Sequence, residues 1–397
     1  AYQEVKTPQL IDRKLWEKSG HWEKFRDHMF IAEDEGDRVL ALKPMNCPSH
    51  HLFYASRTHS YRELPLRFTT LDVLHRNELS GALSGLTRVR QFAQDDCHVY
   101  LREDQIAEEV EFLMDFILSH YDTFGLKSSV KFATRPEQRI GSDEQWDSAE
   151  AALKEALEAT GREYEVEEGD GAFYGPKIDF HVTDSIGRSW QLGTIQLDYN
   201  APERFDLSYV GSDNTAHRPV VIHRAVCGSF ERFIAILIEH YAGVFPTWLA
   251  PEQVRLMSVG EHWDDSALLL LADLKKAGVR ATLQSRETLG YRIREAETLK
   301  IKIALGQQFQ LLIGNTGLIG QASQLLDRGG YTGSQIFTDR TGQGFDVVPH
   351  QLRLAVQALK RLRRFLVQGR GVFGLATGKI KGCGQQVGTV RQHRQCF

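Results

Sequence analysis

Four side chains of different chemistry follow one another at period two near residue 95. Phe92, Gln94, Asp96 and His98 offer an aromatic ring, an amide, a carboxylate and an imidazole. Successive side chains on a β-strand face opposite ways, so a strand here would carry all four on one face. Burying the three polar groups without partners would be costly, so the pattern favours a binding surface over a core. An ordinary hairpin with one solvated face remains the alternative.

The element that must position this row is predicted to be a β-hairpin. The segment from Leu74 to His98 reads as two β-strands joined by a loop rich in glycine and serine. On the first strand the same alternation would place Arg76 and Glu78 on one face. Both strands therefore contribute polar side chains to the predicted surface.

The composition is that of a globular protein large enough for two domains. The chain has 397 residues, of which 42% are hydrophobic and 25% are charged. No run of about 18 apolar residues occurs, so we expect no membrane span, and no signal peptide pattern opens the chain. The five cysteines have no paired spacing, which predicts a reducing, cytoplasmic location rather than a disulfide framework.

Charge is distributed unevenly along the chain. The net charge is −4, but residues 299–397 carry 14 basic and three acidic side chains, which gives 14 − 3 = +11. The remainder carries 34 basic and 49 acidic side chains, or −15. This asymmetry indicates that the C-terminal part meets a polyanion. The alternative is an atypical tail without function.

The pattern of hydrophobic periodicity changes along the chain after residue 251. Amphipathic helices are predicted at 103–124 and 143–160, antiparallel strands at 171–180 and 189–199, and a strand leading into a helix at 217–242. A further helix is expected to begin near Ser49. After residue 251 strands and helices alternate, which is typical of a parallel α/β domain; strands are expected at VRLMSVG, VRATLQS and FQLLIG, and helices at 262–277, around TLGYRIREAETLK and at 349–367.

Several segments resemble the class II aminoacyl-tRNA synthetases. The pattern Arg76-x-Glu78, a loop and Arg88-x-x-x-Phe92 resembles motif 2, and GSFER with Arg232 resembles motif 3. AYQEVKTPQL is similar to the latter part of motif 1, with Pro8 as its proline. HRNELSGALSGLTRVR and QDDCH are similar to threonyl-tRNA synthetases of class IIa in particular. The resemblance is extensive over 1–300 and decays over 301–368.

The resemblance implies an α+β fold in two domains. Residues 1–248 would form the class II catalytic domain, an antiparallel sheet of six or seven strands with flanking helices. Residues 249–368 would form an α/β anticodon-binding domain. Residues 369–397 resemble no family, and their abundant glycine and low acidity predict a disordered tail or a reading-frame artefact.

The resemblance also implies how ATP is bound. Arg76 would clamp the α-phosphate and the substrate carboxylate, because a guanidinium suits bidentate contacts with anions. Arg232 would hold the γ-phosphate, and Arg88 would assist the phosphates. Glu78 would contact the adenine, and Phe92 would stack on it. Mg²⁺ is expected with the phosphates.

A zinc site is implied in the same way, since the spacing of its residues would not reveal it. NCP, QDDCH and VIHRA resemble the zinc-ligand segments of the family and supply Cys47, His98 and His223. One cysteine and two histidines with an open fourth position resemble a catalytic zinc arrangement. Cys97 is a rival ligand, but its neighbour on the strand is His98, so it should face the other way.

Further matched residues would surround the substrate. Asp96 and Tyr174 would hold the ammonium group of threonine, and Gln94, Gln191 and Lys177 would line the same pocket, with Lys177 near the phosphates. Zinc coordination of both the amino group and the hydroxyl would exclude valine, which lacks the second ligand. Ordinary polar positions on strands remain the alternative for Gln191 and Lys177.

The function implied is that of a threonine–tRNA ligase, with ATP, L-threonine and tRNA(Thr) as partners. A homodimer is expected for the family, weakened here because the motif 1 helix is missing, and an N-terminal editing domain is expected to be absent. Two alternatives stay open. One is a catalytically silent module that binds tRNA, and the other is a synthetase for another class IIa amino acid such as serine or proline.

Overall fold

The computed structural model of the chain describes residues 1–33, 36, 38–258, 260–301, 303–305 and 311–312. The chain divides into two compact units between Phe245 and Pro246. The strands of the first unit are β1 (Tyr2–Glu4), β2 (Leu10–Asp12), β3 (Ile31–Glu33), β4 (Val39–Leu42), β5 (Leu66–His75), β6 (Gln91–Leu101), β7 (Ser128–Ala133), β8 (Glu165–Glu167), β9 (Lys177–Thr183), β10 (Ser189–Asp198), β11 (Tyr209–Val210), β12 (Ala216–His217) and β13 (Val220–Ser229). Its helices are α1 (Arg13–Ser19), α2 (His21–Lys24), α3 (Cys47–Ala55), α4 (Ile106–Thr123), α5 (Asp143–Ala159), α6 (Asn200–Arg204) and α7 (Phe230–His240).

An eight-stranded sheet in the order β1-β5-β6-β13-β10-β9-β7-β8 organises the first unit. Its six central strands pair antiparallel, as the sequence predicts. The sheet has eight strands, whereas six or seven were expected. The two additional strands are short and lie at the edges, where β1 pairs in parallel with β5 and β8 pairs in parallel with β7. The α+β class is confirmed.

The two faces of this sheet have different partners. Along β6 the residues Cys97, Val99 and Leu101 are fully buried. Helix α4 is tied to the sheet by an ion pair between Arg67 and Glu109 and by a hydrogen bond between a Tyr121 hydroxyl and a β13 carbonyl. Because side chains alternate along β6, the face opposite Cys97 carries the row predicted to bind ligands.

The hairpin predicted from Leu74 onward differs from the observed one at its first strand. Strand β5 ends at His75, so Arg76 and Glu78 lie beyond it, and period two does not describe them. The backbone N–H of Arg76 still donates to the carbonyl of Arg90, at 2.8 Å, which closes the base of the loop. The pairing therefore continues for one residue after the regular ladder ends.

Helix α3 begins at Cys47, two residues earlier than expected. Pro48 lies in its first turn, where the backbone N–H groups have no helical partner. Proline is tolerated there, so the helix can begin one residue before Pro48. As a result Cys47 lies at the N-terminal end of α3, and this end of the helix faces the polar row of the sheet.

The described part of the second unit is a four-stranded sheet with two helices. Its elements are β14 (Val254–Met257), α8 (Asp264–Lys276), β15 (Ala281–Gln284), α9 (Leu289–Thr298), β16 (Ile303–Leu305) and β17 (Leu311–Leu312). Strands β15, β14 and β16 are parallel neighbours, which confirms the predicted strand and helix alternation.

The third parallel strand is β16, which the sequence analysis missed, and the strand expected around residue 311 pairs antiparallel with it. The helix expected at 349–367 and the tail 369–397 lie outside the described residues. Among the residues that the structure describes, no helix is long and apolar enough to cross a membrane.

Candidate active site

Strand register brings three polar side chains into one row across the sheet. His223 of β13 lies opposite His98 of β6 on one side and opposite Gln196 of β10 on the other. Residues that are direct cross-strand partners share a face and lie about 4.5–5.5 Å apart. Antiparallel pairing thus assembles a site from segments that are far apart in the sequence.

An open cleft with a cavity volume of about 320 Å³ lies over this row. That size is within the range of small-molecule sites. The predicted site residues that line it are Cys47, Arg76, Gln94, Asp96, His98, Tyr174, Lys177 and His223. The predicted residues that do not line it are Glu78, Arg88, Phe92, Gln191 and Arg232.

Cys47, His98 and His223 meet at one point in the cleft. One ligand atom from each lies within 4.8 Å of the others, and all three residues are buried. Cys97 lies on the opposite face of β6 with no exposed surface and belongs to no such group within the described residues. The structure thus brings together the three residues that the resemblance matched to zinc ligands.

In each of the two histidines, one ring nitrogen lacks a protein partner. His98 Nε2 and His223 Nδ1 are buried without a hydrogen bond, which is costly for a polar atom unless something else satisfies it. Burial lowers the pKa of His98 well below its ordinary value, so its imidazole is neutral, as metal binding requires. Burial, followed by the charges of Asp96 and Asp198, raises the pKa of the Cys47 thiol well above its ordinary value. A bound cation would oppose that effect, so the donor set fits a zinc ion.

A second group shares His223 with this one. Ligand atoms of His51, Asp198 and His223 also lie within 4.8 Å of one another. Here, however, His223 Nε2 is hydrogen-bonded to Asp198 Oδ2 at 2.9 Å. Two potential ligand atoms of this group are therefore already joined to each other by a hydrogen bond.

Carboxylate and hydroxyl groups border the point where the three residues meet. The Asn46 amide donates to Asp96 Oδ2 at 2.9 Å, which holds the carboxylate toward the cleft. The Tyr174 hydroxyl donates to the Gln196 side chain, and its ring stacks on His223 with 4.7 Å between centroids. These groups could hold an ammonium ion beside a metal, because they offer oxygen acceptors there.

Arg76 lies between two aromatic rings at the other side of the cleft. Its guanidinium carbon is 5.1 Å from the centroid of Phe92 and 5.6 Å from that of Phe25. Burial lowers the pKa of Arg76 from its ordinary value, although arginine stays protonated in proteins. Phe92 is 8% exposed, so much of the ring expected to stack on adenine is covered.

Three arginines act on one another around the loop after β5. The pKa of Arg232 is lowered, mainly by burial and then by the charges of Arg88 and Arg76. Arg232 Nε donates to the Thr87 carbonyl at 2.9 Å. Among the described residues Glu78 pairs with Arg88 at 3.0 Å. This surplus of positive charge fits a polyphosphate.

Lys177 is held by two carboxylates on its own side of the cleft. Its ammonium nitrogen lies 2.6 Å from Asp179 and 3.0 Å from Asp170. Burial lowers the pKa of Lys177, but the Asp179 and Asp170 carboxylates outweigh it, so the net shift is upward. Lys177 therefore carries a positive charge at the cleft.

A β-bulge in β10 determines which way two glutamines face. Gln191 was predicted to line the pocket, and Gln196 was missed by the sequence analysis. The pairing with β9 shifts between Gln191 and Gly193. Gln191 and Gln196 are five residues apart and would face opposite ways on a regular strand, but the bulge places both on the Lys177 face. Gln196 lines the cleft, whereas the carbonyl of Gln191 accepts from Arg232 at 3.1 Å. No local signal distinguishes these two glutamines.

Comparison with known proteins assigns the chain to a family. The family model described as tRNA synthetase class II core domain (G, H, P, S and T) matches residues 30–241. A threonine–tRNA ligase of Myxococcus xanthus is 55% identical over 323 residues, covering 81% of this chain and 49% of that protein. One from Anaeromyxobacter dehalogenans is 57% identical over 314 residues, covering 77% and 48%. The chain thus spans about half the length of the curated relatives it matches.

A solved structure agrees with this assignment. The RNA-binding domain of threonyl-tRNA synthetase from Cryptosporidium parvum has a TM-score of 0.76 to this chain at 38% identity. The match covers 84% of this chain and 88% of that one. The chain therefore belongs to the class II tRNA synthetase core family, and within it to the threonyl-tRNA synthetases.

Proposed function

We propose that this chain activates L-threonine with ATP to threonyl-adenylate and transfers the threonyl group to tRNA(Thr). One observation carries the proposal. Cys47, His98 and His223 converge, with two orphaned ring nitrogens, in the same cleft as Arg76. A metal-ligand trio beside a buried guanidinium suits a substrate that carries an amino group, a hydroxyl and a carboxylate.

The trio is the zinc site of this proposal. A bound zinc ion would offer Lewis-acid positions to the amino group and the side-chain hydroxyl of threonine. Asp96 and Tyr174 would hold the ammonium or amino group, since their oxygens border the trio. Gln94, which lines the cleft, and Gln191 would complete the pocket. Valine lacks the hydroxyl and would leave these buried polar groups unpaired.

Adenylation joins the threonine carboxylate to the α-phosphate and releases pyrophosphate. Both reactants are anions, so positioning and charge neutralisation are the main requirements. Arg76 would contact the carboxylate and α-phosphate, and Arg232 the γ-phosphate. Arg88 and Lys177 would add positive charge, and Mg²⁺ would accompany the ATP phosphates.

Adenine would lie against the loop that follows β5. Glu78 would accept from the adenine, and Phe92 would contribute the exposed part of its ring. The ion pair between Glu78 and Arg88 would have to open or shift to make room for the adenine. Binding of ATP would therefore reorganise this pair.

The remaining assignments concern domains and partners. Residues 1–248 would be the catalytic domain, 249–368 the anticodon-binding domain and 369–397 a Gly-rich tail. tRNA(Thr) would contact the basic C-terminal part, and a second copy of the chain would form the family's homodimer. The described cysteines Cys47, Cys97 and Cys227 are free and buried, which fits the reducing cytoplasm.

The test is amino-acid-dependent exchange of pyrophosphate into ATP, run with purified chain, Mg²⁺ and a panel of amino acids. Threonine should support exchange, whereas proline and valine should not. Exchange with proline alone would reassign the substrate. Absence of exchange with every amino acid, while the chain still binds tRNA, would favour a silent binding module.

A further inference from the structure

Two buried residues outside the ligand trio are hydrogen-bonded to its two histidines. Asp198 Oδ2 lies 2.9 Å from His223 Nε2, and His50 Nδ1 lies 2.8 Å from His98 Nδ1. Asp198 is 1% exposed and His50 has no exposed surface. We propose that Asp198 and His50 are positioning residues that select the metal-binding tautomers of His223 and His98.

The hydrogen bond between Asp198 and His223 fixes which ring nitrogen of His223 carries the hydrogen. An ionised carboxylate only accepts hydrogen bonds, so His223 Nε2 must carry the hydrogen. The lone pair of the neutral ring is then on Nδ1, which is the buried atom without a protein partner. The carboxylate thus places the proton on the far side of the ring and leaves the metal-facing nitrogen free.

His98 has a corresponding partner, the imidazole of His50, in place of a carboxylate. His98 Nε2 is the orphaned atom, so Nδ1 must carry the hydrogen when a metal binds. His50 Nδ1 lies 2.8 Å from that nitrogen and can accept the hydrogen, because a neutral imidazole can hold its own hydrogen on Nε2. The Asp96 carboxylate is 3.9 Å from the same nitrogen, beyond hydrogen-bond distance.

Asp198 also has a second, structural task. Its Oδ1 accepts from the backbone N–H groups of Asn200 and Ala201, at 2.8 and 2.9 Å. With Oδ1 fixed in this way, Asp198→Asn would turn its amide nitrogen toward His223 Nε2. That nitrogen donates, so it would favour the tautomer protonated at Nδ1 and block the metal side.

This inference rests on the proposed zinc site, and the test separates the two. Full-length chain is equilibrated with zinc alone and a chromophoric chelator, and zinc affinity is read from the competition. Asp198→Asn should bind zinc about 10–100-fold more weakly than the parent, as expected for loss of a partner that orients a ligand. Parent affinity in Asp198→Asn would overturn the role of Asp198.

Asp184→Asn is the matched control. Asp184 is 6% exposed, its Oδ1 accepts from two backbone N–H groups at 3.1 and 2.8 Å, and its Oδ2 accepts from side chains. It contacts none of the three ligands in the hydrogen bonds of the described residues. Asp184→Asn should keep parent zinc affinity, so an equal loss in both variants would indicate general destabilisation and overturn the proposal.

If Asp198→Asn does not fold, as judged by circular dichroism, two variants of His50 test the proposal. His50→Leu removes the acceptor from His98 and should weaken zinc binding about 10–100-fold. His50→Asn keeps an acceptor at the same position along the side chain and should restore part of that loss. Equal affinities in the two His50 variants would overturn the role of His50.

Two further outcomes distinguish the ligands from their supports. If Cys47→Ala keeps stoichiometric zinc while Asp198→Asn loses it, Asp198 is itself a ligand in the group with His51, and the inference is wrong. If the parent binds no zinc, the zinc site of the proposed function fails and the inference fails with it. If the parent binds zinc and neither Asp198→Asn nor His50→Leu weakens it, only the inference fails.

Discussion

Replacing Arg76 by methionine separates its expected chemical role from its packing. The guanidinium lies 5.1 Å from the Phe92 centroid and 5.6 Å from the Phe25 centroid. Methionine has a similar length and fits between two rings, but it carries no charge and cannot contact a carboxylate or phosphate. The variant therefore removes the group assigned to the reacting anions and, with it, one long hydrogen bond of 3.4 Å from Arg76 Nε to the Pro44 carbonyl.

The expected loss of activity is large. Removing a donor that stabilises charge in the transition state costs about 10²–10³ in rate. We expect threonine-dependent exchange of Arg76→Met to fall by about that factor at saturating ATP and threonine.

The expected change in stability is small because three contributions offset one another. Each cation–π contact is worth about 0.5–2 kcal/mol. The desolvation of the buried guanidinium, which lowers its pKa, opposes this gain. Contacts of a methionine sulfur with aromatic rings contribute about 0.3–1.5 kcal/mol. The free energy of unfolding should change by about 1 kcal/mol or less, which moves the melting temperature by about 2–4 °C in a unit of this size.

Arg62→Met is the control. Arg62 is exposed, and its guanidinium lies 5.4 Å from the Tyr61 ring centroid, so it also removes an arginine from an aromatic contact. Exchange should stay at the parent rate. Parent activity in Arg76→Met would refute the assignment, and a large fall in melting temperature would show that Arg76 is structural.

Three further predictions test the substrate and partner assignments. Cys47→Ala should lose most of the zinc, about one ion per chain, that metal analysis should find in the parent; full zinc content in the variant would indicate another site. Serine keeps the amino and hydroxyl groups and lacks one methyl, so its kcat/KM in exchange should be about 10–200-fold below that of threonine, whereas valine should be rejected by about 10⁴–10⁵; equal use of serine and valine would contradict a hydroxyl-reading site. Residues 299–397 carry a net charge of +11, so affinity for tRNA(Thr) should fall steeply with salt in a filter-binding titration, and a flat response would exclude phosphate contacts.

The alternation of polar side chains along β6 was correctly predicted from the sequence. Gln94, Asp96 and His98 alternate along β6 as predicted, and all three line the cleft. This succeeds because the alternation of a strand is a local property of the backbone. Cys97, which lies between Asp96 and His98, and Val99, which follows His98, are buried against the other face for the same reason.

The predictions fail where structure depends on the ends of elements. Arg76 and Glu78 were placed on a strand that ends at His75, and α3 starts at Cys47 rather than near Ser49. Element boundaries depend on hydrogen bonds to distant segments and on capping, which a period does not encode. The added edge strands of the sheet belong to the same class of error, since β1 and β8 are too short to show alternation.

The kinds of side chain available and, through motif resemblance, the family to expect could be read from the order of residues alone. Which of these side chains meet depends on the fold. Antiparallel register puts His98, His223 and Gln196 in one row, and a single bulge turns Gln191 onto the face of Gln196. The hydrogen bond from His223 to Asp198 likewise joins two strands. Pairing and register follow from many distant contacts at once, so no stretch of the chain contains them in advance.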